Sequence, residues 1–403
     1  MNPAFLLIFH IIQIFLFLIL GLPVLYIFIF ALAGLFYRQP RYLKAEKYYR
    51  IAVMIPGYKE DFVIREVAAD ALLQDYPKDC FDVVIIADSF QPETVDYLKS
   101  LPIKVIEVKF DKSTKAKALN RAMELLPEKY DIAVVLDADN LMAPGFLSKI
   151  NAVFNRGCIA VQGHRKAKNV DTPLAVLDAV SEEINNHIFR KGHRVTGLSS
   201  AIIGSGMAFQ YSYFKDLMLN VTAIGGFDKD IELRMLREGK NILYLNDAVV
   251  LDEKVQQAEV FSNQRRRWLS AQLVYFRRDF FSALGALITK GNIDYFDKAI
   301  QFIQPPRILL LGAVLFFGCL FTGLNLLFLT ADSYAVTWMV IILMCLLAFL
   351  FSVPGYFYNM TTLKALLSLP KGMFLMLGSL LKIKGANKQF IHTQHSAKAS
   401  SKP

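Results

Sequence analysis

The stretch that decides the fold runs from Ile132 to Asp139, has the sequence IAVVLDAD and ends in two carboxylates. A short apolar run rich in β-branched residues predicts a buried strand. In an α/β sheet, the carboxyl end of such a strand opens onto the crevice where ligands bind. Two carboxylates at that edge suit Mg²⁺ or Mn²⁺ holding a diphosphate. Alone, Asp137 and Asp139 fit an ordinary strand end followed by an acidic turn equally well.

Strands and helices alternate around this run. Residues 66–73 have helical spacing, and they lie between the first two of three short β-branched segments: 51–55, 83–86 and 103–108. This alternation predicts an α/β fold with a mainly parallel sheet covered by helices. Glu60 follows the first segment and Asp88 the second, so three acidic strand ends occur in one half-domain. Such a repetition favours a ligand site over chance.

Two lysines and a glycine pair are further candidates for ligand contacts. Lys115 and Lys117 stand at a helix start, where their cations would grip phosphate or carboxylates, or would lie on a solvated helix face. The turn Gly204-Ser205-Gly206 gives the backbone freedom to approach a ligand, although most such turns are only turns.

Two later elements join acids and bases to helices. Asp228 and Asp230 precede a helical pattern over residues 231–237, where Asp230 is either a helix cap or an acid available for chemistry. Residues 264–268, QRRRW, place guanidinium groups beside an indole. They would form a basic interfacial helix, or a stacking face with bidentate phosphate donors.

The composition indicates an enzyme-sized domain bracketed by membrane segments. The chain has 403 residues, 54% of them hydrophobic, and a mean hydropathy of +0.37. Residues 4–36 carry no charge and are long enough to span a bilayer, whereas a cleaved signal peptide would be shorter and begin with basic residues. Residues 308–329 and 334–353 predict two more spans. Residues 363–381, interrupted by Pro370 and Lys371, would cross the membrane or lie in its interface.

Basic residues indicate the orientation of the chain in the membrane. Five of them follow the first span at once: Arg38, Arg41, Lys44, Lys47 and Arg50. Residues 1–4 and 330–333 contain no Lys or Arg, so residues 38–304 are expected on the cytoplasmic side of the cell inner or plasma membrane. The net charge of +10 is then explained by the membrane, because basic residues beside the spans are attracted to anionic lipid head groups. Nucleic acid is not an expected partner, because no nucleic-acid motif accompanies the charge.

Taken together and in their order along the chain, the motifs described above resemble those of the membrane-bound family-2 inverting glycosyltransferases. This group contains the cellulose, chitin and hyaluronan synthases. The resemblance covers about residues 50–270. It implies an α/β nucleotide-diphospho-sugar transferase fold of the glycosyltransferase A type, flanked by transmembrane helices. It also implies hexosyl transfer with inversion from a nucleotide-sugar donor, expected to be a UDP-sugar, to a glycan or lipid acceptor at the cytoplasmic face, with Mg²⁺ or Mn²⁺ as cofactor.

The resemblance further implies roles for individual residues. Asp230 would be the general base and Asp139 the metal ligand, with Asp137 supporting the donor. Glu60, Asp88 and Lys117 would complete the donor site. The acceptor and the leaving diphosphate would meet Gly204, Ser205, Gly206, Gln264, Arg267 and Trp268. Many relatives have Glu before the catalytic Asp, whereas Lys229 precedes Asp230 here, so the base assignment rests on Asp230 alone.

The sequence is compatible with two kinds of product. One is a polysaccharide made processively, and the other is a lipid or short glycan that receives a single sugar. A nucleotide-binding signalling or transport subunit is a third, weaker interpretation. The tail contains Phe390, Thr393 and His395, which resemble a gating segment of some synthases in the family but also fit a disordered basic tail. The predicted divisions are a membrane helix at 1–37, the transferase domain at 38–284, an interfacial segment at 285–304, two membrane helices at 305–353, an interfacial or membrane helix at 354–384 and a cytoplasmic tail at 385–403.

Overall fold

A computed structural model describes residues 3–42, 45–221, 225–327 and 332–381. Its strands are β1 Ile51–Tyr58, β2 Phe81–Asp88, β3 Lys104–Val108, β4 Ile132–Val135, β5 Leu141–Met142, β6 Ala160–Ala167, β7 Met207–Gln210 and β8 Ile242–Asp252. They form one sheet with the order β3-β2-β1-β4-β7-β6-β8-β5. The predicted α/β class is confirmed.

The sheet has a parallel half and a mixed half. The pairings of β1 with β2 and β4, and of β2 with β3, are parallel, as the alternating sequence predicted. In the other half β7 runs antiparallel to both β4 and β6, and β5 antiparallel to β8. The chain enters β7 from the turn at Gly204 to Gly206, which lies at the carboxyl edge of β4, so β7 must run the opposite way. The sheet is therefore less uniformly parallel than predicted.

The central strands are continuous apolar runs because helices cover both faces of the sheet. Val53 and Ile55 belong to the core on one face, whereas Ala52 and Met54 belong to the core on the other. Side chains of a strand alternate between faces, so a strand buried on both sides needs an apolar residue at every position.

The helices are α1 Pro3–Leu16, α2 Leu22–Gly34, α3 Asp61–Ala71, α4 Pro92–Ser100, α5 Lys115–Leu125, α6 Phe146–Phe154, α7 Pro173–Asn186, α8 His193–Val195, α9 Tyr211–Leu219, α10 Phe227–Arg237, α11 Ala258–Lys290, α12 Ile293–Gln301, α13 Arg307–Leu327, α14 Asp332–Ser352, α15 Met360–Leu366 and α16 Leu369–Leu381. In the described part of the chain, π-helical turns occur at Phe17–Gly21 and His187–Gly192.

Among the residues that the structure describes, three helical segments are long and apolar enough to cross a membrane: Pro3–Gly34, Arg307–Leu327 and Ser333–Ser352. The first is interrupted by the π turn at Phe17–Gly21, shortly before Pro23. Proline has no amide hydrogen for the helical ladder, and a π turn accommodates that gap. The apolar segment predicted at residues 363–381 lies in α15 and α16. These two helices meet at a bend of 50° and would make a fourth span only if they crossed the membrane as a pair.

Helices α11 and α12 occupy the region where the sequence predicts the end of the domain and the start of an interfacial segment. The boundary between residues 284 and 285 falls inside α11, which continues to Lys290 and ends where Gly291 adopts a left-handed φ of 63°. Tyr295 and Lys298 of α12 are buried, so the proposed interfacial segment packs largely onto the domain. The predicted gating residues Phe390, Thr393 and His395 lie outside the described residues.

Candidate active site

A cavity of about 540 Å³ lies at the carboxyl edge of the sheet and continues to the membrane helices. Its walls include Asp137 and Asp252 at the sheet edge, together with Asp228 of α10. At the other end, Ile27 of α2 and Leu310 of α13 contribute apolar side chains. One space therefore connects the acidic strand ends with the membrane-spanning part of the chain, and we call it the central cavity.

Three carboxylates gather at the sheet end of the central cavity. Asp137, Asp139 and Asp252 each offer an oxygen within 4.8 Å of the others. Asp139 is buried and accepts hydrogen bonds from Asn140 Nδ2 at 3.2 Å and from the Glu253 amide at 3.0 Å. Asn140 Nδ2 also donates to Asp252 Oδ1 at 3.1 Å, so one amide group orients two of the acids.

A buried network of charges holds this acidic cluster in place. Arg165 donates through Nε to Glu182 Oε1 at 2.9 Å and lies 3.6 Å from Asp252 Oδ2, while Lys254 contacts both acids. Burial opposes ionisation of Glu182 and Asp252, but the charges of Arg165 and Lys254 outweigh it and hold the pKa of each acid below its usual range. Both acids are therefore anionic at neutral pH, although the network lies out of water.

Carboxylate oxygens this close together suit a hard divalent cation. Mg²⁺ and Mn²⁺ prefer oxygen ligands and usually bind through one or two carboxylates plus the phosphates of a substrate. The half-exposed Asp137 faces the central cavity, so a diphosphate there has access to the same cation. The donor set therefore fits the predicted cofactor.

Lys115 connects the acidic cluster with the glycine turn. Thr114 caps α5 by accepting a hydrogen bond from the Lys117 amide, which fixes Lys115 at the first helical position. From there Lys115 Nζ lies 2.5 Å from Asp137 Oδ1 and donates to the Gly204 carbonyl at 2.7 Å. Of the two predicted lysines, Lys115 lines the central cavity, whereas the exposed Lys117 donates to the Lys112 carbonyl at 3.0 Å.

The glycine turn has one member in the cavity wall and two beneath it. Gly204 lines the central cavity with a left-handed φ of 81°, and a Cβ there would lie 3.7 Å from Asp228 Cγ. Ser205 is buried and its hydroxyl donates to Asn140 Oδ1. The Gly206 carbonyl accepts from the Gly163 amide at 2.7 Å, tying the turn to β6. Ser205 and Gly206 therefore do not face the cavity but anchor the glycine turn to Asn140 and to β6.

The structure does not bring Asp230 to the central cavity. Asp230 is buried between Arg234 Nε at 3.2 Å and Arg278 Nη1 at 2.6 Å, which joins α10 to α11. Asp228 in the same first turn lines the cavity beside Gly204, with Lys229 Nζ at 3.3 Å. Asp228 therefore lines the cavity whereas Asp230 does not, and the general-base role that the resemblance gives to Asp230 stays a prediction, with Asp228 as the alternative.

Helix α11 supplies the arginine and tryptophan wall. Arg267 and Trp268 line the central cavity, and Trp268 is 42% exposed. The Arg265 guanidinium pairs with Asp178 and lies 4.6 Å from the Trp268 ring centroid. Gln264 does not line the cavity; its buried Oε1 has no hydrogen-bond partner among the described residues.

The remaining predicted donor residues lie along the same edge of the sheet. Asp88 ends β2 and accepts a hydrogen bond from the Ser89 hydroxyl at 3.0 Å, and Glu60 directly precedes α3. Because β2 is two strands from β4, Asp88 lies about 10 Å from Asp137 along the edge. Lys59 and Ser89 have φ of 55° and 59°, the positive values among the described non-glycine residues. Such strained positions concentrate at functional sites.

Sequence reasoning missed Asp252 and Arg165. Asp252 ends β8 with the sequence AVVLD, the same pattern that precedes Asp137, so a signal was present. Arg165 lies within β6 and has no local pattern that distinguishes it from a surface cation.

Comparisons with known proteins agree with this geometry. The model of the family described as glycosyltransferase like family 2 matches residues 49–271, more than half of the chain. The probable glycosyltransferase YdaM of Bacillus subtilis is 25% identical over 235 residues, covering 54% of each chain. The UDP-forming cellulose synthase catalytic subunit of Komagataeibacter sucrofermentans is 25% identical over 292 residues, covering 68% of this chain and 37% of that protein. The chain thus spans about half, or less, of these curated relatives.

A solved structure shows the same fold. The mannosyltransferase of Pyrobaculum calidifontis, in complex with GDP-Man and Mn²⁺, has a TM-score of 0.51 and 18% identity, covering 85% of this chain and 99% of its own. The predicted nucleotide-sugar transferase fold, with apolar helices flanking it, is confirmed. With the family match across the whole α/β domain, this chain belongs to the family-2 glycosyltransferases.

Proposed function

We propose that the chain transfers a sugar, with inversion, from a nucleotide-diphospho-sugar to an acceptor that arrives from the membrane. The observation that carries this proposal is the central cavity, which has carboxylates and Asp228 at one end and side chains of α2, α13 and α16 at the other. A soluble acceptor would not require walls built from membrane helices.

The donor occupies the sheet end of the central cavity. Asp88 and Glu60 meet its nucleoside along the edge, and Lys115 and Arg267 meet its phosphates. Asp137, Asp139 and Asp252 hold Mg²⁺ or Mn²⁺, which when bound stabilises the negative charge of the departing diphosphate. The Pyrobaculum enzyme was solved with GDP-Man and Mn²⁺ and the Komagataeibacter synthase is UDP-forming, which supports a nucleotide sugar, with UDP as the expected carrier.

Asp228 acts as the general base. An acceptor hydroxyl attacks the anomeric carbon, its proton passes to the Asp228 carboxylate, and the bond from that carbon to the diphosphate oxygen breaks. One displacement of this kind inverts the anomeric centre. A positioned carboxylate contributes about 10²–10⁴-fold to such a step. Arg267 and Trp268 flank the site and would hold the leaving group and the acceptor.

Two classes of product fit the open end of the cavity. Addition of one sugar to a lipid fits a cavity bounded by only a few membrane helices. Processive polysaccharide synthesis is the second candidate, favoured by the similarity to a cellulose synthase over 292 residues.

Product size separates these candidates and tests the proposal. Membranes containing the full chain are incubated with a panel of labelled UDP- and GDP-sugars, and the products are separated by length. A labelled product formed from one donor is expected. Long chains would favour the synthase, a single addition the lipid transferase, and no incorporation from any donor would refute the proposed function.

A further inference from the structure

The membrane end of the central cavity is rich in guanidinium groups, in addition to the Arg267 group assigned above to the donor phosphates. Arg190, Arg265 and Arg307 all line this end. Arg265 has an acidic partner in Asp178. Arg307, at the start of α13, instead donates to neutral oxygens, namely Asn185 Oδ1, the Ser181 carbonyl at 3.2 Å and the Ser181 hydroxyl at 3.3 Å.

Arg190 also donates to neutral oxygens, although the charges of Glu182 and Glu232 act on it from beyond ion-pair distance. It donates to the Ala201 carbonyl at 3.1 Å and to Asn186 Oδ1 at 2.6 Å, and burial holds its pKa below its usual range. In the part of the chain that the structure describes, no carboxylate forms an ion pair within 4.0 Å of Arg190 or Arg307. The charged groups that act on Arg307 are two further arginines, Arg190 and Arg265. Positive charge out of water is costly unless an anion compensates it.

Helix α7 sets the position of these arginines relative to the acidic cluster. Its residues Asp178, Ser181, Glu182 and Asn185 all line the central cavity and have the spacing of a single helix face. Glu182 holds Arg165 and Lys254 beside the acids, while the neighbouring Ser181 holds Arg307. The α7 residues that contact Arg307, Ser181 and Asn185, thus lie within one helical turn of Glu182, about 5 Å along the axis.

Apolar side chains continue from the arginines into the membrane part. Ile27 of α2, Ile308 and Leu310 of α13, and Met376 of α16 line the same end of the cavity. A ligand there would meet guanidinium groups first and hydrocarbon next. A neutral glycan offers neither a compensating charge nor an apolar chain.

We propose that the acceptor is a lipid that bears a phosphate group, bound by Arg190, Arg265 and Arg307, with its apolar chain leaving between α2, α13 and α16. This inference rests on the proposed function and names its acceptor class. Guanidinium groups match phosphate oxygens by paired, charge-assisted hydrogen bonds. The phosphate remains intact in the reaction, since the attacking group is a hydroxyl of the lipid head group and its proton passes to Asp228.

The test uses the full chain in detergent with native membrane lipids and the nucleotide sugar that the labelled panel identifies as the donor. Dodecyl phosphate is the competing probe, and dodecyl maltoside is the matched neutral amphiphile. Dodecyl phosphate should raise the apparent KM for the lipid extract without changing that for the nucleotide sugar, and dodecyl maltoside should do neither. The labelled product should partition into organic solvent and bind an anion exchanger.

Substitutions connect the effect to Arg307. Arg307→Gln keeps hydrogen-bonding capacity toward Ser181 and Asn185 but removes the charge, and should raise the apparent KM for the lipid about tenfold or more at unchanged donor KM. Arg307→Lys should retain more affinity than Arg307→Gln. Lys364→Gln removes an exposed cation of α15 outside the cavity and should behave like the unaltered chain.

The outcomes separate this inference from the proposed function. Absence of transfer by the unaltered chain refutes the function itself. Transfer to a product without negative charge, equal inhibition by the two amphiphiles, or an Arg307→Gln chain with normal lipid KM overturns the phosphate-lipid acceptor alone. Alkaline methanolysis releases label from an acyl glycerophospholipid with a hydroxyl-bearing head group, whereas mild acid releases it from a sugar joined to an isoprenoid through phosphate, which identifies the source of the phosphate.

Discussion

Arg278 Nη1 lies 2.6 Å from Asp230 Oδ1, and this contact commits Asp230 to joining α10 with α11. Asp228 lies two positions earlier, about 200° around the helix axis, and therefore faces the opposite side. Asp230 is thus held in an ion pair between two helices, whereas Asp228 lines the central cavity.

The first prediction separates the two acids. Asp228→Asn should lower kcat about 10²–10⁴-fold with little change in donor binding, because it removes the general base. Asp230→Asn should lower the free energy of unfolding by about 1–3 kcal/mol, because it removes the charge that pairs with the guanidinium groups of Arg234 and Arg278. Thermal unfolding and steady-state kinetics of both variants provide the comparison. An Asp230→Asn chain that is inactive but normally stable would instead identify Asp230 as the general base.

The second prediction concerns the metal. Asp139→Asn and Asp252→Asn should each raise the Mg²⁺ or Mn²⁺ concentration needed for half-maximal activity, because each removes charge from the cluster of three acids. Excess chelator should abolish turnover of the unaltered chain, and added Mn²⁺ should restore it. Metal titrations of activity check this. Full activity in chelator would show that the acids serve another purpose.

The third prediction is a pH dependence of stability. Burial lowers the pKa of His187, whose Nε2 lies 2.8 Å from the Ala31 carbonyl of α2. Because the unfolded chain then binds more protons, stability should fall as the pH drops below the ordinary histidine value of about 6.5. Unfolding temperatures between about pH 7.5 and 5.5 should decline less in His187→Gln than in the unaltered chain. Parallel declines would exclude His187 as the source.

The fourth prediction is the orientation in the membrane. In a chain without its native cysteines, Ser333→Cys should react with an impermeant thiol reagent in intact cells, because the positive-inside bias places the start of α14 outside. Lys99→Cys, in the half-exposed ion pair with Glu107, should react only after permeabilisation. The reverse pattern would put the central cavity away from cytosolic nucleotide sugars.

Much of the donor end could be predicted from the sequence because it depends on local pattern. The apolar run before Asp137 specifies a strand buried on both faces, and the carboxyl edge of that strand specifies where Asp137 and Asp139 lie. The choice between the two lysines does not follow from local pattern: the resemblance gives the donor role to Lys117, whereas Lys115 lines the central cavity.

The rest depends on contacts between residues distant in the chain. Asp230 of α10 pairs with Arg278, which lies 48 positions later in the sequence, and no local spacing reveals that partner. Likewise, Arg307 begins an apolar span in the sequence, and only its packing against Ser181 and Asn185 of α7 brings it into the same cavity as Asp228.

The most direct measurement couples the two products of the reaction. Membranes containing the unaltered chain or the Asp228→Asn chain are given the labelled donor, and nucleoside diphosphate release and sugar incorporation are quantified together. We predict equal amounts of the two products from the unaltered chain, and about 10²–10⁴-fold less of both from Asp228→Asn, although it still binds the donor. Incorporation by Asp228→Asn at the unaltered rate would contradict the account.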